Sequence, residues 1–323
     1  MPAIKRKRDR VAYYAKNIFL DSAPSFIFRR KLEAFLVKSL ILDRERIVDR
    51  VNFYNKINFQ IDIPEGAKKI RHIPMSKSMY YYDFKEIARY FPRDLMINFE
   101  FGDIKDFPEK VTFLKSRPIG VDHRNGILVK INKFRHYYMP RDGRSFFDKK
   151  PIAVWRGGSH NPKRITLVRR HKDNPICDVA LTAGEFNADA SRFLAPNEQM
   201  AFRYIICIEG NDLASNLVRT MASNSLCLMP RPTNESWFLE SRLVPGRHYV
   251  ELDENFEDLE DTILYYERHP GEAQEIVRNA NRHVGQFLDS RRERAIGLLV
   301  MYKYFIATRQ IEPDETIAEM IWP

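Results

Sequence analysis

The sequence has few cysteines and no long apolar run, and each shortage excludes a class of protein. Only three cysteines occur in 323 residues, so they cannot all pair, and none belongs to a cluster with zinc-ligand spacing. No apolar run reaches the about 18 residues that a membrane-spanning helix needs. The first ten residues, MPAIKRKRDR, lack the apolar stretch and cleavage site of a signal peptide. We therefore expect a cytoplasmic protein whose cysteines are reduced core thiols.

The sequence also lacks internal repeats and low-complexity segments, so its length predicts one large or two medium globular domains. Its charge is uneven. Residues 1–50 hold 13 Lys and Arg against 6 Asp and Glu, so they carry +7 of the formal net charge of +10. Within them, Phe28, Leu32 and Leu36 share one helical face among basic side chains. This pattern indicates an anionic partner, either nucleic acid or an anionic membrane surface, unless the segment is a solvated tail.

The clearest pattern runs from residue 204 to residue 252, where short apolar runs alternate with helical periods. Residues 205–208 form an apolar run typical of a strand buried on both faces, and Leu213, Leu217 and Met221 share one face of a helix. Beyond them we expect a strand at 225–229, a helix that carries Trp237, Phe238 and Glu240, and a strand at 248–252. Alternating strands and helices predict a parallel sheet covered by helices.

Two polar turns that contain glycine follow predicted strands of this sheet. One turn, residues 157–159, follows a strand at 152–155 and precedes a helix that continues through Val168. The other turn, residues 210–212, follows the strand at 205–208. Ligands of parallel sheets lie at the carboxyl ends of the strands, and phosphates bind at helix N-termini. The two turns therefore predict a shared site for a phosphorylated ligand.

Weaker signals predict the remaining elements. Strand candidates at 51–61 and 95–101 flank a helical stretch at 80–90, and further helices are expected at 258–268, 271–289 and 291–308. Residues 127–137 form a cationic segment. Its basic side chains either line an anion site or are solvated at the edge of a strand or helix. The charged and titratable residues of the segment are Lys130, Lys133, Arg135 and His136.

Four landmarks, taken in order and with their spacing, resemble glycosyltransferase family 90. They are residues 154–157 (VWRG) with Arg164, residues 204–212 (YIICIEGND), residues 223–225 (SNS), and residues 237–250 from Trp237 to Val250. That family includes protein O-glucosyltransferases and bacterial lipopolysaccharide core glycosyltransferases. The turn EGND, the stretch KSRPI at 115–119 and the motif NKxRH at 132–136 resemble the bacterial branch. The resemblance covers roughly residues 110–290.

The resemblance implies an α/β fold of the GT-B type, in which two Rossmann-like domains face each other. On this basis we divide the chain into a basic helical N-terminal extension at 1–42, an acceptor-side α/β domain at 43–148, a nucleotide-sugar-binding Rossmann-like domain at 149–290, and a C-terminal helix at 291–323 that packs back across the domains. It further implies inversion at the anomeric carbon, a nucleotide-sugar donor (UDP-linked), and no metal or other cofactor. In agreement, no Asp-x-Asp pair, the usual holder of a cation in metal-dependent relatives, occurs in the sequence.

The resemblance also implies donor-binding residues. They are Arg156, Gly157, Gly158, Ser159, Arg164, Gly210, Asn211, Asp212, Ser215, Asn216 and Glu240. Eukaryotic members carry an arginine in the helix after the second turn, where this chain has Asn216. We therefore expect Arg156 and Arg164 to neutralise the leaving diphosphate, with Lys163 as a further available cation. Glu240 resembles the acid that binds the ribose hydroxyls.

An inverting transfer needs a base that accepts the proton of the acceptor hydroxyl. In eukaryotic relatives an aspartate of the N-terminal half has this role, and Asp122 is the matching acid here. Two alternatives stay open, since the alignment can instead place Asn125 at that position, and Asp103 is a more distant candidate. The acceptor-side candidates are Arg117, Lys130, Arg135 and His136.

The leading hypothesis is a bacterial-type transferase that moves a hexose to a lipopolysaccharide core or related glycan, with its basic N-terminus on the inner face of the cytoplasmic membrane. Two other functions compete with it. A nucleic-acid-binding protein would explain the positive charge, although the basic stretches are scattered and no nucleic-acid motif occurs. A catalytically inactive, sugar-binding relative would explain Asn216 and the undecided base.

Overall fold

The computed structural model describes residues 2–104, 106–120, 124–139 and 141–322. The chain divides into two compact units, one formed by Met1–Phe134 with Leu288–Pro323 and the other by Arg135–Phe287. The predicted domain start at residue 149 thus lies inside the second unit. The C-terminal segment that we predicted to cross the domains belongs to the first unit.

The helices are α1 (Pro2–Ser22), α2 (Ser25–Arg29), α3 (Leu32–Tyr54), α4 (Ser78–Ala88), α5 (Lys133–His136), α6 (Pro162–His171), α7 (Pro196–Gln199), α8 (Leu217–Met221), α9 (Leu259–Arg268), α10 (Pro270–Gly285), α11 (Ser290–Ala307) and α12 (Glu315–Ile321). The strands are β1 (Lys68–Lys69), β2 (Met96–Ile97), β3 (Thr112–Leu114), β4 (Ser116–Pro118), β5 (Gly126–Leu128), β6 (Lys150–Gly158), β7 (Cys177–Ala183), β8 (Phe202–Ile206), β9 (Leu226–Met229), β10 (Asn234–Ser236) and β11 (Val250–Glu251). Short 3₁₀ helices occur at Ile70–His72, Ala190–Arg192 and Glu240–Arg242. No helix in the described ranges is long and apolar enough to cross a membrane.

Helices dominate the first unit. Helix α11 packs against α3 and α4, and α12 packs against α3. The predicted strand at 51–61 is wrong, because residues 51–54 form the last turn of α3 and residues 55–61 form no strand. After a kink at Asp43, the buried side chains Ile47, Val51 and Tyr54 are spaced by four and three residues and lie on one helical face. In the same unit β1 pairs with β2 antiparallel, and β3 pairs with β5 parallel.

A five-stranded parallel sheet forms the centre of the second unit, with the strand order β11-β9-β8-β6-β7. Its apolar face packs against helices, with Trp155, Tyr204 and Leu228 among the buried core side chains. All three cysteines are buried and unpaired. The predicted mixed α/β class with a parallel sheet is confirmed.

Two predicted helices of the second unit differ from the observed elements. The helix expected from Leu213 begins only at Leu217, because residues 211–216 form turns. The helix expected around Trp237 is wrong: β10 is followed by a 3₁₀ turn. Leu239 has a left-handed φ of 63°, which interrupts a right-handed helix at this point.

Candidate functional site

The first glycine-containing turn connects β6 to α6. Asn161 caps the helix, because its side-chain oxygen accepts a hydrogen bond from the Lys163 backbone N–H at 2.9 Å. The first turn of α6 contains Lys163 and Arg164 and no acidic residue. Helix N-termini carry partial positive charge and usually attract acidic side chains. Lys163 is paired with Glu254, so the positive charge offered to a ligand at this end of α6 is that of Arg164 and of the helix N-terminus.

The second turn lies in direct contact with the first. The side-chain amide of Asn161 donates a hydrogen bond to the Gly210 carbonyl oxygen at 2.8 Å. A Cβ atom on Gly210 would lie 3.1 Å from Arg164 Nη2 and 3.1 Å from His160 Nε2. Only a glycine lets the backbone approach these side chains without displacing them. The two turns are thus held together as one structure at the carboxyl ends of β6 and β8.

Arg164 is the cation that lies between the two turns. Its guanidinium donates to the carbonyl oxygens of Glu209 and Ile208, each at 3.0 Å, and contacts His160 Nε2 at 2.9 Å. No carboxylate of the described residues forms an ion pair with it. Burial, and then the charge of nearby Arg135, lower the pKa of Arg164 to about 10. Carbonyl dipoles stabilise the buried positive charge but do not neutralise it. The guanidinium can therefore still attract an anion.

A small pocket of about 20 Å³ lies beside these turns. It is lined by residues that follow β8, such as Ile208 and Leu213, and by residues that follow β9, such as Pro230 and Asn234. The walls are mainly apolar, with a few polar groups at the edge, as is typical of sites for organic ligands. The pocket lies where the carboxyl ends of two adjacent parallel strands meet, which is the usual ligand position in such sheets.

Glu240 lines the same pocket and is buried. Its carboxylate accepts hydrogen bonds from the Ser236 backbone N–H at 2.6 Å and from the Ser236 hydroxyl at 2.8 Å. Burial raises the pKa of Glu240 to about 7, with a further contribution from the charge of Glu235. The side chain is therefore fixed in position and poised between its neutral and ionised forms near neutral pH.

Glu209 holds the rim of the pocket together. Its carboxylate accepts hydrogen bonds from the backbone N–H groups of Thr233 and Asn234, each at 3.0 Å, and from the Thr233 hydroxyl. Burial raises the pKa of Glu209, and these hydrogen bonds act in the opposite direction. Lys163, also at the rim, forms an ion pair with Glu254. The loop after β9 is thus tied to the end of β8.

The structure does not bring Arg156 to the turns. Successive side chains of a strand point to opposite faces, and Trp155 is the one that contacts Arg164, with the guanidinium 5.7 Å from its ring. Arg156 instead forms an ion pair with Asp178 at 2.6 Å and donates to the Arg192 carbonyl oxygen at 2.5 Å. Its charge is therefore committed to joining β6 to β7 and the segment that follows.

The other predicted donor residues divide between the turns and the scaffold. Gly157 and Gly158 end β6, and the Ser159 hydroxyl accepts from the Glu185 N–H at 2.8 Å, which positions the neighbouring loop. In the second turn, Asn211 is exposed, Ser215 is half-buried and Asp212 is buried. Asn216 is buried, and its amide donates to the Ile206 carbonyl oxygen at 2.9 Å. Asn216 thus fixes the end of β8.

Two of the acceptor-side candidates have structural contacts in the first unit. Arg117 is fully buried and donates to the carbonyl oxygens of Phe53 at 2.8 Å and Gly126 at 2.7 Å, so it caps the C-terminal end of α3. Lys130 forms an ion pair with Glu293 at 2.5 Å. In the second unit, Arg135 is exposed and His136 is buried.

The predicted base, Asp122, lies outside the described residues, as does His123. Asn125 and Asp103 are the two alternative positions for the base. The side-chain amide of Asn125 donates a hydrogen bond to the Glu109 carbonyl oxygen at 2.6 Å. Asp103 is partly exposed and forms an ion pair with buried Lys115 at 2.6 Å.

Sequence reasoning missed His160 and the segment after β9. His160 lies between the two turns and contacts Arg164, although no motif singles it out. Pro230 and Asn234 were also missed, although the rule that ligands lie at the carboxyl ends of parallel strands applies to β9 as well. Within the described residues, no group of three or more His, Cys, Asp or Glu side chains could hold a metal ion.

The fold is that of an α/β protein built on a parallel sheet, and comparison with known proteins gives its family. The family model described as glycosyl transferase family 90 matches residues 132–307. The O-glucosyltransferase LpsA of Dichelobacter nodosus is 38% identical over 314 residues, which cover 93% of this chain and 96% of that protein. This chain belongs to glycosyl transferase family 90, and it is a glycosyltransferase.

More distant relatives match a smaller region. Protein O-glucosyltransferase 3 of Rattus norvegicus is 27% identical over 177 residues, which cover 52% of this chain and 34% of the rat protein. The human protein of the same name is 26% identical over 181 residues, which cover 54% of this chain and 35% of that protein. The bacterial relative matches nearly the whole chain, whereas the mammalian ones match about half. The predicted family and its bacterial branch are confirmed, and nucleic-acid binding is not favoured.

Proposed function

We propose that this chain transfers a hexose, glucose, from a UDP-linked donor to a hydroxyl of a lipopolysaccharide core or related glycan, with inversion and without a metal ion. The O-glucosyltransferase names of the relatives support the choice of sugar. The resemblance of residues 110–290 to the bacterial lipopolysaccharide core branch supports the acceptor. The GT-B architecture is part of the proposal, supported by the two compact units and the parallel sheet of the second.

The observation that carries this proposal is the arrangement around Arg164. A buried guanidinium, the N-terminus of α6 and the backbone of two joined turns meet beside a pocket. When the bond between the sugar and the diphosphate breaks, negative charge grows on the leaving phosphate oxygen. Cations and helix N-termini that are already in place stabilise this charge without reorganisation. They supply the neutralisation that a metal ion gives in metal-dependent transferases.

Glu240 gives the proposed site a way to recognise the nucleoside. An ionised carboxylate accepts hydrogen bonds only, and two adjacent ribose hydroxyls are donors that match it. Glu240 lines the pocket and is already oriented by Ser236. The mainly apolar walls formed by residues such as Leu213 and Met229 are suited to the faces of a base.

The reaction itself follows from these parts. The acceptor oxygen forms a bond to the anomeric carbon from the face opposite the diphosphate, and the bond to the diphosphate breaks with its electron pair. A base accepts the proton of the attacking hydroxyl, and we propose Asp122 for this role. One attack from the opposite face inverts the configuration.

Titration calorimetry with UDP-glucose in excess EDTA, followed by a transfer assay under the same conditions, tests the proposal. We expect binding of UDP-glucose and release of UDP in EDTA, with no gain when magnesium or manganese is added back. Binding that disappears in EDTA and returns with either metal would contradict the metal-free mechanism. Binding of GDP- or ADP-glucose in preference to UDP-glucose would contradict the proposed donor.

A further inference from the structure

A groove separate from the donor pocket lies along α6. Helix residues Ile165, Val168, Arg169 and Lys172 form one of its walls, and they share one side of the helix because they are spaced by three and four residues. Ala180 and Leu181 of β7, an edge strand of the sheet, lie in the groove, and the segment after β7 forms the other wall. The groove is open to solvent and has a volume of about 440 Å³. Lys163 and Arg164, which we assign to the donor site, do not line this groove.

The segment after β7 presents an aromatic side chain to the groove. Phe186 is 51% exposed, and the Arg169 guanidinium lies 5.5 Å from the centre of its ring. Phe186 and Asn187 both have left-handed backbone conformations, with φ of 61° and 57°. Such a conformation is strained for a bulky side chain such as Phe. The Asp189 N–H bonds to the Leu181 carbonyl oxygen at 2.9 Å, so the segment is held along the edge of β7.

Positive charge predominates in the groove. Three cations line it, namely Arg169, Lys172 and Arg192, and Lys172 forms an exposed ion pair with Asp173 at 3.7 Å. Arg192 shares the carboxylate of Asp178 with Arg156. The acid in the lining, Asp189, accepts hydrogen bonds from the Ser191 N–H at 2.8 Å and the Ser191 hydroxyl at 2.6 Å. Arg169 forms no ion pair with any carboxylate of the described ranges, so its charge is available to a ligand.

We propose that this groove is a second carbohydrate site, which binds an oligosaccharide carrying carboxylate or phosphate groups. Arginine binds either group through charge-assisted hydrogen bonds. The apolar faces of sugar rings match Phe186 and the apolar side chains of α6 and β7. A single exposed aromatic ring favours a saccharide over single-stranded nucleic acid, which stacks successive bases on several rings. Such a site would retain an anionic glycan and raise its local concentration.

Calorimetric titration of the full chain with trigalacturonate, compared with neutral maltotriose, tests this site. We expect trigalacturonate to bind and maltotriose to bind at least about tenfold more weakly, because the neutral sugar lacks the charge-assisted hydrogen bonds. Arg169→Gln should lower the affinity for trigalacturonate about tenfold, and Phe186→Ala should lower it several-fold. Arg170→Gln is the matched control, since Arg170 is next in sequence, pairs with Glu257 and does not line the groove. Its affinity should equal that of the unmodified chain.

The same variants should bind UDP normally, so loss of this site is distinguishable from failure of the proposed donor site. Equal affinities of Arg169→Gln and Arg170→Gln for trigalacturonate would overturn the proposal. So would equal affinities for maltotriose and trigalacturonate, or displacement of trigalacturonate by an equimolar amount of inorganic phosphate. Tighter binding of a single-stranded RNA oligonucleotide would assign the groove to nucleic acid. Melting curves that match the unmodified chain establish that the variants are folded.

Discussion

The side-chain amide of Asn161 donates a hydrogen bond to the Gly210 carbonyl oxygen, 2.8 Å away. The same side chain caps α6 through its oxygen atom. One residue therefore fixes both the helix N-terminus and the turn after β8. Because the two turns are joined in this way, changes in either of them are expected to act on one ligand.

Gly210→Ala should weaken the binding of UDP, since the added Cβ would crowd Arg164 Nη2 and His160 Nε2 at 3.1 Å. We expect a loss of about 1–2 kcal/mol in binding free energy, comparable to one displaced hydrogen bond to a charged group. Gly271→Ala in α10 is the matched control, because nothing lies within 4 Å of its added Cβ. Calorimetric titration with UDP measures the affinities of both variants. Unchanged UDP affinity in Gly210→Ala would place the diphosphate elsewhere.

Arg164→Gln and Arg156→Gln should have different effects, although the sequence suggested a diphosphate role for both arginines. Arg164→Gln should weaken UDP binding by roughly 1.5–3 kcal/mol and uridine binding much less, because only UDP carries the phosphates. Arg156→Gln should lower the melting temperature, since it breaks the ion pair with Asp178. Any effect of Arg156→Gln on affinity should be equal for UDP and uridine. A loss of affinity for UDP alone in Arg156→Gln would return Arg156 to the diphosphate site.

The stability of the protein should fall as pH rises through the range in which Glu240 titrates. Burial raises its pKa from 4.5 to about 7, so between these values the folded state retains a proton that the unfolded state has lost. The stabilisation is complete below about 4.5 and is lost as pH rises to about 7, and a difference of this size corresponds to about 3 kcal/mol. Glu240→Gln has no carboxyl group to titrate there, so this pH-dependent part of the stability should be absent from it. Chemical denaturation between pH 4.5 and 8 measures it, and identical pH profiles of the two proteins would contradict the assignment.

Asp122→Asn should lower kcat by about 10²–10⁴-fold and leave donor affinity nearly unchanged, because a general base acts in the transition state. Asp103→Asn should mainly lower the melting temperature, since it removes the partner of buried Lys115. Steady-state kinetics with a glycan acceptor and calorimetry with UDP separate the two effects. Near-normal turnover of Asp122→Asn together with an inactive, folded Asp103→Asn would transfer the role of base to Asp103.

Helix α1 provides a test of the proposed contact with an anionic membrane. Tyr13, Tyr14 and Asn17 lie on the side of the helix that contacts the first unit, whereas Val11, Ile18 and Phe19 are 64%, 54% and 75% exposed. Exposed apolar side chains next to basic ones suit the surface of an anionic bilayer. Deletion of residues 1–10 should reduce binding to phosphatidylglycerol vesicles at low salt, and Phe19→Ser should reduce it at both low and high salt.

Leu288→Ser is the control for this experiment, because Leu288 is 64% exposed on another segment. Co-sedimentation with vesicles measures all variants, and turnover of a soluble acceptor should be spared. Vesicle binding that is the same in all of them would leave residues 1–10 as a solvated tail.

The sequence by itself determined the parallel sheet, the two turns and the family, because these depend on local signals. Apolar runs ended by glycine and asparagine define the strands and turns without any knowledge of distant residues. The same local reasoning predicted a strand at 51–61, where the structure has the end of α3 and no strand. Contacts with α11, far along the chain, decide that helix.

Only the tertiary structure decided which cations are available to a ligand. Arg156, Arg164, Arg117 and Lys130 look alike in the sequence, but their partners are remote. Arg156 pairs with Asp178, Lys130 with Glu293, and Arg117 with the end of α3, which leaves Arg164 between the two turns. Which partners a guanidinium or ammonium group finds, carboxylates or backbone carbonyls, depends on how distant segments pack. Folding, rather than residue type, therefore placed Arg164 where we propose that the diphosphate binds.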